Sequence, residues 1–463
     1  MPLHFDAWTL IAVAGLGVMV FVHELGHFVA AKLNGVEVEV FSLGWGPRLA
    51  GFRYKGTMYQ ISWLPIGGFC KMKGEMIPGL AGGTDAGGAA PVHEKGSFLA
   101  AASWRRMVIY VFGPMFNLLF AFLVFAFIWW IGFQTNSWDN RVVLATDYSL
   151  NSFPEKPPAT AVGLKTGDRI IAIDGVSVEN FQDILEAVSV APGKTLQLTV
   201  QRGAPGATGT EIVKITPQLD KNDGSGKIGI YRWIDPVVLS VEKGSAAAIA
   251  GIRPGDRLMD VGGHHIGNYF DIEQSLVTRP AKVPIMLERA GKQVTATLVL
   301  AYSDSGTNLG IKFVYNIYHS PAVGPIGAIK RGADETWRTI TLTVKGIGLL
   351  FKGINIRNAV AGPLGIISAI GTVASSGFEV GVGFGLVNLF NFLSLLSVVL
   401  FLMNLLPIPA MDGGQIVLLL VEIVRGKPVK ASLAWRLQVI GFTLMVSLFI
   451  LVTLNDVLRG TGR

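Results

Sequence analysis

The sequence predicts a polytopic α-helical membrane protein with four transmembrane helices, a cytoplasmic β-hairpin region and two small α/β domains outside the membrane. Three observations predict this fold. Half of the 463 residues are hydrophobic and only 15% are charged, which is unusual for a water-soluble protein. Four apolar segments are each long enough to cross a bilayer, which takes about 20 residues. A motif in the long connection between the second and third segments occurs twice.

The predicted spans are the four longest apolar segments of the chain. They cover about residues 8–31, 107–133, 385–411 and 437–455. A cleaved signal peptide is the alternative interpretation of residues 8–22. The residues before that segment contain no Lys or Arg, and no small-x-small cleavage site follows it. We therefore interpret the first segment as a retained transmembrane helix.

Basic residues predict the orientation of the spans, because short loops rich in Lys and Arg remain in the cytoplasm. Nine basic residues lie between spans one and two, and four lie between spans three and four. Both loops are therefore expected in the cytoplasm, and both termini and residues 134–384 are expected outside. The net charge of +7 does not indicate nucleic-acid binding, since the basic residues flank apolar spans and form no basic run. The single cysteine, Cys70, excludes an intrachain disulfide.

The first span contains an H-E-x-x-H sequence, which is His23-Glu24-Leu25-Gly26-His27. Positions i and i+4 share one face of a helix, so the two imidazoles can meet at one point and suit Zn²⁺. Glu24 would stand beside the open position of the metal and could deprotonate a water molecule. The motif occurs by chance in many chains, but it holds all the ionisable residues between Ala7 and Ala31. Ionisable groups at membrane depth are costly and are functional by default.

A second polar position lies at the end of the third span. Asp412 is the only charged residue between residues 385 and 421, and two prolines and two glycines break the helix around it. Broken backbone at membrane depth occurs where it is buried in protein or lines a cavity. With His23 and His27, Asp412 would complete three protein ligands and leave a fourth position for water. This is the pattern of a catalytic zinc site.

Residues 36–73, in the first cytoplasmic loop, alternate in β fashion. They predict short strands, including a hairpin near residues 65–72. An exposed strand edge there could pair with the backbone of an unwound substrate, and Gly67, Gly68 and Phe69 are the predicted contact residues. The alternative is an ordinary hairpin at the membrane surface with turn glycines. Residues 78–91 are rich in Gly and Ala and predict a flexible linker.

The outer segment contains an internal repeat. Ala161–Ile170 recurs as Ile249–Leu258, at an offset of 88 residues. The A-G-L-x-x-G-D-x-I-x-x-I-D-G pattern resembles PDZ domains, and the second copy departs from it at Gly262, where the acidic residue is missing. PDZ grooves bind extended peptides as an added strand, so peptide ends are predicted partners of these domains.

An amphipathic helix is predicted after the repeat, over residues 325–352. Trp337, Ile340 and Val344 fall at helical spacing there, so this face would lie on the outer membrane surface or pack on the protein. The predicted organisation is 1–133 for two spans and the β-hairpin loop, 134–221 and 222–315 for two PDZ-like domains, 316–384 for the amphipathic helix and a connecting loop, and 385–463 for the last two spans.

The two motifs together resemble those of the site-two protease family of intramembrane zinc metalloproteases. They are H-E-L-G-H in the first span and N-x-x-P-x-P-x-x-D-G-G at residues 404–414. The family's usual Leu before the Asp is Met411 here, a substitution of similar volume. The resemblance implies zinc bound by His23, His27 and Asp412, with Glu24 as catalytic base, and substrate contacts from Asn404, Pro407 and Pro409.

The resemblance also implies a bacterial inner-membrane location and a class of substrate. The expected substrates are transmembrane segments of single-span membrane proteins that another protease has shortened, such as anti-sigma factors, and remnant signal peptides. Two alternatives come from other functional classes. A PDZ-bearing membrane scaffold would need neither Glu24 nor Asp412. A zinc transporter usually has polar residues along several spans, whereas spans two and four contain almost no ionisable residues.

Overall fold

A computed structural model describes residues 7–75, 94–148, 156–202, 209–221, 224–302, 308–314, 316–350 and 361–460. The chain divides into two compact units. The first consists of Met1–Gln134, His319–Lys345 and Ile356–Arg463, and the second consists of Thr135–Tyr318 and Gly346–Asn355. The predicted linker at residues 78–91 lies outside the described residues.

Eleven α-helices lie in the described part of the chain. In chain order they are α1 Ala7–Leu33, α2 Ser103–Ile131, α3 Pro158–Ala161, α4 Phe181–Ser189, α5 Ala246–Ile249, α6 Tyr269–Ser275, α7 Pro325–Leu350, α8 Pro363–Val380, α9 Val382–Asn404, α10 Asp412–Arg425 and α11 Ala431–Gly460.

The strands of the described residues fall before α2 and between α2 and α7. They are β1 Val38–Tyr54, β2 Thr57–Met72, β3 Phe133–Ser137, β4 Val142–Leu144, β5 Arg169–Ile173, β6 Val176–Ser177, β7 Leu196–Gln201, β8 Thr210–Ile215, β9 Gln218–Leu219, β10 Gly226–Lys227, β11 Ile230–Arg232, β12 Val238–Val241, β13 Arg257–Val261, β14 His264–His265, β15 Lys282–Arg289, β16 Lys292–Val299, β17 Ile311–Phe313 and β18 Asn316–Ser320.

Five of the described helices are long and apolar enough to cross a membrane. They are α1, α2, α8, α9 and residues Ser432–Leu458 of α11. Four of them correspond to the predicted spans, and α8 is an additional candidate. The third predicted span, residues 385–411, is shorter than expected, because α9 ends at Asn404 and irregular backbone follows.

The first two helices pack closely because a glycine lies at their contact. A Cβ atom on Gly26 would come within 2.2 Å of the backbone oxygen of Phe112. Glycine therefore permits a backbone-to-backbone approach that any other residue would block. Small residues at such contacts are typical of helices packed in membranes.

The sheet between α1 and α2 consists of two long bent strands. Residues 40–43 of β1 pair with 58–61 of β2 on one side and with 68–71 on the other, and 48–54 pair with 57–62. The predicted hairpin at residues 65–72 is wrong. That segment is the last part of β2, and the chain reverses at Lys55 and Gly56, whose φ angles of 46° and 83° suit a two-residue hairpin turn.

The second unit contains the repeat as two copies of one arrangement. The first copy is β4, α3, β5, β6, α4, β7, β8 and β11, and the second is β12, α5, β13, β14, α6, β15, β16 and β17. Each has a four-stranded sheet, in the orders β6-β5-β7-β8 and β14-β13-β15-β16, and one additional strand pair. The first copy extends to Arg232 rather than to residue 221, because β11 pairs with β4.

Local chemistry explains the motif that the two copies share. Asp168 and Asp256, in the Gly-Asp pairs, are buried, and each accepts a hydrogen bond from the backbone three residues earlier. Each also pairs with an arginine at the end of a later strand, since Arg202 directly follows β7 and Arg289 is the last residue of β15. The departure at Gly262 suits the same turn, because φ is positive both there, at 64°, and at Asp174 in the first copy, at 48°.

Helix α7 packs on α2 through small residues and through part of the predicted apolar face. A Cβ atom on Gly332 would come within 2.8 Å of Ala126, so the two helices cross at small residues. Ile340 also packs on this side, as expected. Trp337 and Val344, by contrast, are 70% and 52% exposed, so this part of the apolar stripe does not pack on described residues.

Candidate metal centre

The structure brings His23, His27 and Asp412 to one point. The Nε2 atoms of the two histidines are 3.2 Å apart. Asp412 Oδ2 lies 3.1 Å from His23 Nε2, and Asp412 Oδ1 lies 3.4 Å from His27 Nε2. Within the described residues these three form the one group of His, Cys, Asp and Glu side chains whose geometry could hold a metal ion.

The chemistry of these donors fits a zinc ion. Two imidazole nitrogens and one carboxylate oxygen are the ligands that catalytic zinc sites use, and they leave a position open. The side chains are only 8–13% exposed, and Asp412 Oδ2 is buried and accepts no hydrogen bond of normal geometry from the described residues. A buried carboxylate oxygen in this state is costly unless a cation balances it.

Irregular backbone places Asp412 at the start of α10. The predicted break is confirmed, since α9 ends at Asn404 and α10 begins at Asp412. Gly413 and Gly414, however, lie within the first turn of α10. A Cβ atom on either would come within 2.3 Å of a backbone oxygen of the preceding loop. Ala410 has a φ of 84°, a left-handed conformation that costs a non-glycine residue about 1–2 kcal/mol and directs the chain into α10.

The residues that the family resemblance assigns to substrate lie around this loop. Asn404 is the last residue of α9, and Pro407 is exposed. The Pro409 carbonyl lies against α11 at Gly441, where a Cβ atom would come within 1.8 Å of it. Glycine at position 441 therefore lets α11 lie directly on the loop. The substrate roles of Asn404, Pro407 and Pro409 stay predictions.

Glu24 lies beside the last part of β2. A Cβ atom on Gly68 would be 3.4 Å from Glu24 Cγ, and Gly67, at φ 90°, lies under the indole of Trp45. Residues 68–71 pair with β1 on one side and with no other strand in the described part of the chain. The segment of Gly67, Gly68 and Phe69 is therefore the edge of the sheet, and it runs past Glu24.

Two features of the site were not predicted as part of it. Gly113 lies directly on the histidines, since its Cβ atom would come within 2.3 Å of His27 Nε2. The His27 Nδ1 atom lies 2.9 Å from the Ile109 carbonyl, and His23 Nδ1 lies 3.3 Å from Asn117 Nδ2. The sequence signal was a Gly-Pro pair, which indicated helix packing, and a lone Asn within an apolar span.

A partly buried carboxyl group, that of Glu75, lies against Tyr110 of α2. Burial raises the pKa of Glu75 from 4.5 to about 7. Tyr110 donates its hydroxyl hydrogen to Glu75 over 3.2 Å, and the Met72 amide donates to it over 3.4 Å. These hydrogen bonds tie the end of β2 to α2, on the helix that carries Gly113.

An ion pair joins α2 to α10. Arg106 Nη2 lies 2.8 Å from Glu422 Oε1, and the two side chains are 14% and 11% exposed. Glu422 is on the helix that begins with Asp412, so the pair holds the far end of that helix against α2. No local sequence pattern predicts this pairing across 316 residues.

Comparison with known proteins decides the family. Residues 11–448 match Peptidase family M50, a range that contains both motifs. The chain belongs to peptidase family M50. It is 36% identical over 452 residues to a protein of Treponema pallidum (strain Nichols) that is named, provisionally, as a zinc metalloprotease, with 97% of this chain and 98% of the relative aligned.

The name of a second relative describes it as a regulator. The regulator of sigma-E protease RseP of Escherichia coli (strain K12) is 30% identical over 477 residues, with 98% of this chain and 99% of the relative aligned. Since the family and the relatives agree, this member of family M50 is a zinc metalloprotease with transmembrane helices. The scaffold and transporter alternatives are not favoured.

Proposed function

We propose that this family M50 protease cleaves the transmembrane segments of single-span membrane proteins. The observation that carries the proposal is the convergence of His23, His27 and Asp412 beside Glu24, at the end of an apolar helix long enough to cross a membrane. In this proposal the three converging residues bind zinc, and Glu24 is the general base.

Each residue has a distinct task in the reaction. Zinc held here would supply Lewis acidity for the scissile carbonyl and for the attacking water. Glu24, which is not a ligand, takes the proton from that water and passes it to the leaving amine. Asp412 and the two histidines hold their positions because α1, α2 and α10 are packed by glycines at the site. The low exposure of these side chains keeps bulk water away from the reacting groups.

The edge of the sheet explains how a helix could be cut. A transmembrane substrate pairs all its backbone groups within its own helix, so the scissile bond becomes accessible only after a turn or more unwinds. Each unpaired group then costs several kcal/mol in lipid. The edge formed by Gly67, Gly68 and Phe69 offers replacement partners by strand addition, next to Glu24. Asn404, the last residue of α9, would supply a further hydrogen bond to the unwound substrate in this proposal.

Exposed side chains on the same sheet support contact with membrane lipid. Large apolar residues on β1 and β2 are 44–71% exposed, and these are Trp45, Leu49, Phe52, Tyr54, Ile61, Trp63 and Leu64. Lys and Arg side chains lie among them on the same strands. A sheet of this composition suits the boundary between acyl chains and headgroups, where apolar rings enter and basic groups stay in the polar layer.

Four of the five apolar helices cross the membrane in this proposal, and α8 does not. Asp456, near the end of α11, accepts hydrogen bonds from the Gly362 and Gly365 amides at the start of α8, over 2.9 and 2.8 Å. At the other end of α8, Phe378 packs on Trp8, with ring centroids 5.6 Å apart. The start of α1 and the end of α11 lie on the same side if both helices span, so contacts from both ends of α8 favour an outer position.

The proposed orientation places residues 134–384 outside the cytoplasm. A cysteine replacing the exposed Lys243, in a Cys70→Ser background, should react with an impermeant thiol reagent in intact cells. A cysteine replacing the exposed Lys427, between α10 and α11, should react only after lysis, because the basic loop around it stays inside. The reverse pattern would overturn the orientation and the substrate model with it.

The PDZ-like copies are proposed to restrict access and, through their grooves, to bind peptide ends. The second unit is inserted between the helices that carry the zinc ligands, so it is tethered at both ends to the protease unit. Its two folded copies would exclude substrates with bulky outer domains by steric hindrance. In this proposal, this steric exclusion is the reason that another protease must first shorten the substrate.

One experiment with reconstituted protein tests both the proposed cleavage and the size filter, which is the proposed exclusion of bulky substrates by the PDZ-like copies. We expect it to cut a shortened single-span substrate within the apolar segment, to spare the intact substrate, and to lose all activity when a zinc chelator is added. Deletion of residues 136–305 should permit cleavage of the intact substrate. Cleavage outside the apolar segment, or activity that survives the chelator, would contradict the function. A folded deletion variant that still spares the intact substrate would contradict only the filter.

A further inference from the structure

Asn117 is a fully buried polar residue of α2. Its side chain is 0% exposed, within a helix of membrane-spanning length. A buried amide is costly unless it forms hydrogen bonds. Asn117 Nδ2 lies 3.3 Å from His23 Nδ1, and Oδ1 has no partner in the described part of the chain. Within the described residues, the side-chain amide of Asn117 therefore contacts one polar group, which is Nδ1 of His23 in the candidate metal centre.

The geometry of the two histidines decides which hydrogen bond can form there. Both direct Nε2 toward Asp412, so Nε2 is the metal-binding atom of each. A neutral imidazole that binds metal through Nε2 carries its proton on Nδ1 and needs an acceptor for it. His27 has the Ile109 carbonyl, 2.9 Å away. The position that faces His23 Nδ1 is the amide of Asn117.

A half-turn of the amide exchanges Oδ1 and Nδ2, and only the oxygen can accept a proton from His23 Nδ1. With the nitrogen in this place, two N–H groups would face each other and no hydrogen bond would form between Asn117 and His23. We propose that Asn117 accepts this hydrogen bond through Oδ1 and thereby fixes the tautomer and the ring orientation of His23. Asn117 is then a positioning residue that acts through a zinc ligand. The inference rests on the proposed role of His23 as a ligand.

A contact from a third helix supports this role. The Ser397 hydroxyl donates to the backbone carbonyl of Asn117 over 2.9 Å. Ser397 is on α9, the helix that leads to the Asp412 loop, and His23 is on α1. Asn117 therefore lies where α1, α2 and α9 meet, and its backbone is held by α9 while its side chain faces His23 on α1.

Zinc affinity of the purified full-length chain, measured by competition with a chelator, tests the proposal. Asn117→Leu keeps the volume and removes the acceptor, so we expect a loss of about 10–100-fold in zinc affinity, the usual cost of losing an outer partner of a metal-binding histidine. Asn117→Asp keeps an acceptor at the same place, and its affinity should stay within about threefold of the wild type or increase.

Ser394→Ala is the matched control. The Ser394 side chain is also fully buried, but its hydroxyl donates to the Phe390 carbonyl of its own helix. Its removal should leave zinc affinity unchanged. The absorption spectrum of the Co²⁺-substituted protein gives a second readout, because a reoriented His23 changes the ligand field while a distant packing defect does not.

The outcomes separate the inference from the proposed function. Zinc affinity of Asn117→Leu within twofold of the wild type would overturn the inference, as would an equal loss in Asn117→Asp and Asn117→Leu. If the Asn117→Leu protein does not accumulate, the zinc affinity of Asn117→Asp alone tests the inference. A loss of more than tenfold in the zinc affinity of Asn117→Asp would overturn it. Zinc binding that survives His23→Ala would instead overturn the proposed function, because His23 would then not be a ligand.

Discussion

Gly113→Ala is expected to abolish both zinc binding and proteolysis. The added Cβ atom would come within 2.3 Å of His27 Nε2 and within 3.0 Å of His23 Cε1. Real atoms do not approach so closely, so either both imidazoles rotate away from Asp412 or α2 moves away from α1. In a solvent-exposed helix, the same exchange would stabilise the helix by about 1 kcal/mol, so helix propensity cannot explain a loss.

The zinc content of purified Gly113→Ala protein and its cleavage of a shortened membrane substrate check this expectation. Gly383→Ala is the control, since Gly383 is on the apolar helix α9 and a Cβ atom there would have nothing within 4 Å. We expect the control to keep zinc and activity. A Gly113→Ala protein that retains full zinc would show that the histidines do not bind metal in the arrangement described.

Breaking the Arg106–Glu422 pair has the second largest expected effect. Removing one partner leaves the other charge buried and unpaired, which typically costs about 3–5 kcal/mol. Both Glu422→Gln and Arg106→Met should therefore lower the unfolding temperature in detergent. They should also weaken zinc retention, because α10 begins with Asp412 and is held by this pair.

The double variant Arg106→Met/Glu422→Gln should recover much of the loss, because no unpaired charge remains. Glu94→Gln is the control for an exposed pair. Glu94 lies 3.4 Å from Lys73, with side chains 63% and 30% exposed, and such pairs contribute about 0–1 kcal/mol. Equal effects of Glu94→Gln and Glu422→Gln would contradict the structural role given to the buried pair.

Most of the candidate metal centre was predictable from the sequence because its signals are local or chemically isolated. The spacing of His23 and His27 places them on one helix face whatever the tertiary fold. Asp412 was identifiable because a lone carboxylate in an apolar run needs a cation. The repeat in the second unit was equally visible, because the same turn residues recur at a constant offset and the structure forms the same elements from both copies.

The unpredicted features depend on partners far away in sequence. Gly113 and Asn117 contact α1 across a helix interface, and no periodicity within α2 distinguishes such a contact from ordinary packing. The sheet differs from the predicted hairpin because each bent strand pairs with two segments of the other. Helix α8 was missed because Gly, Ser and Thr dilute its hydrophobic residues. Its apolar face is apparent only from its packing on α1 and α9.

The central claim is that His23, His27 and Asp412 hold zinc while Glu24 performs the acid–base chemistry. The most direct test measures zinc content and substrate cleavage in the same preparation of Glu24→Gln, with Asp412→Ala for comparison. We predict that Glu24→Gln retains about one zinc ion per chain and cleaves nothing, because it lacks the base and not a ligand. Asp412→Ala should lose both zinc and cleavage. Loss of zinc from Glu24→Gln, or cleavage by it at the wild-type rate, would contradict the account.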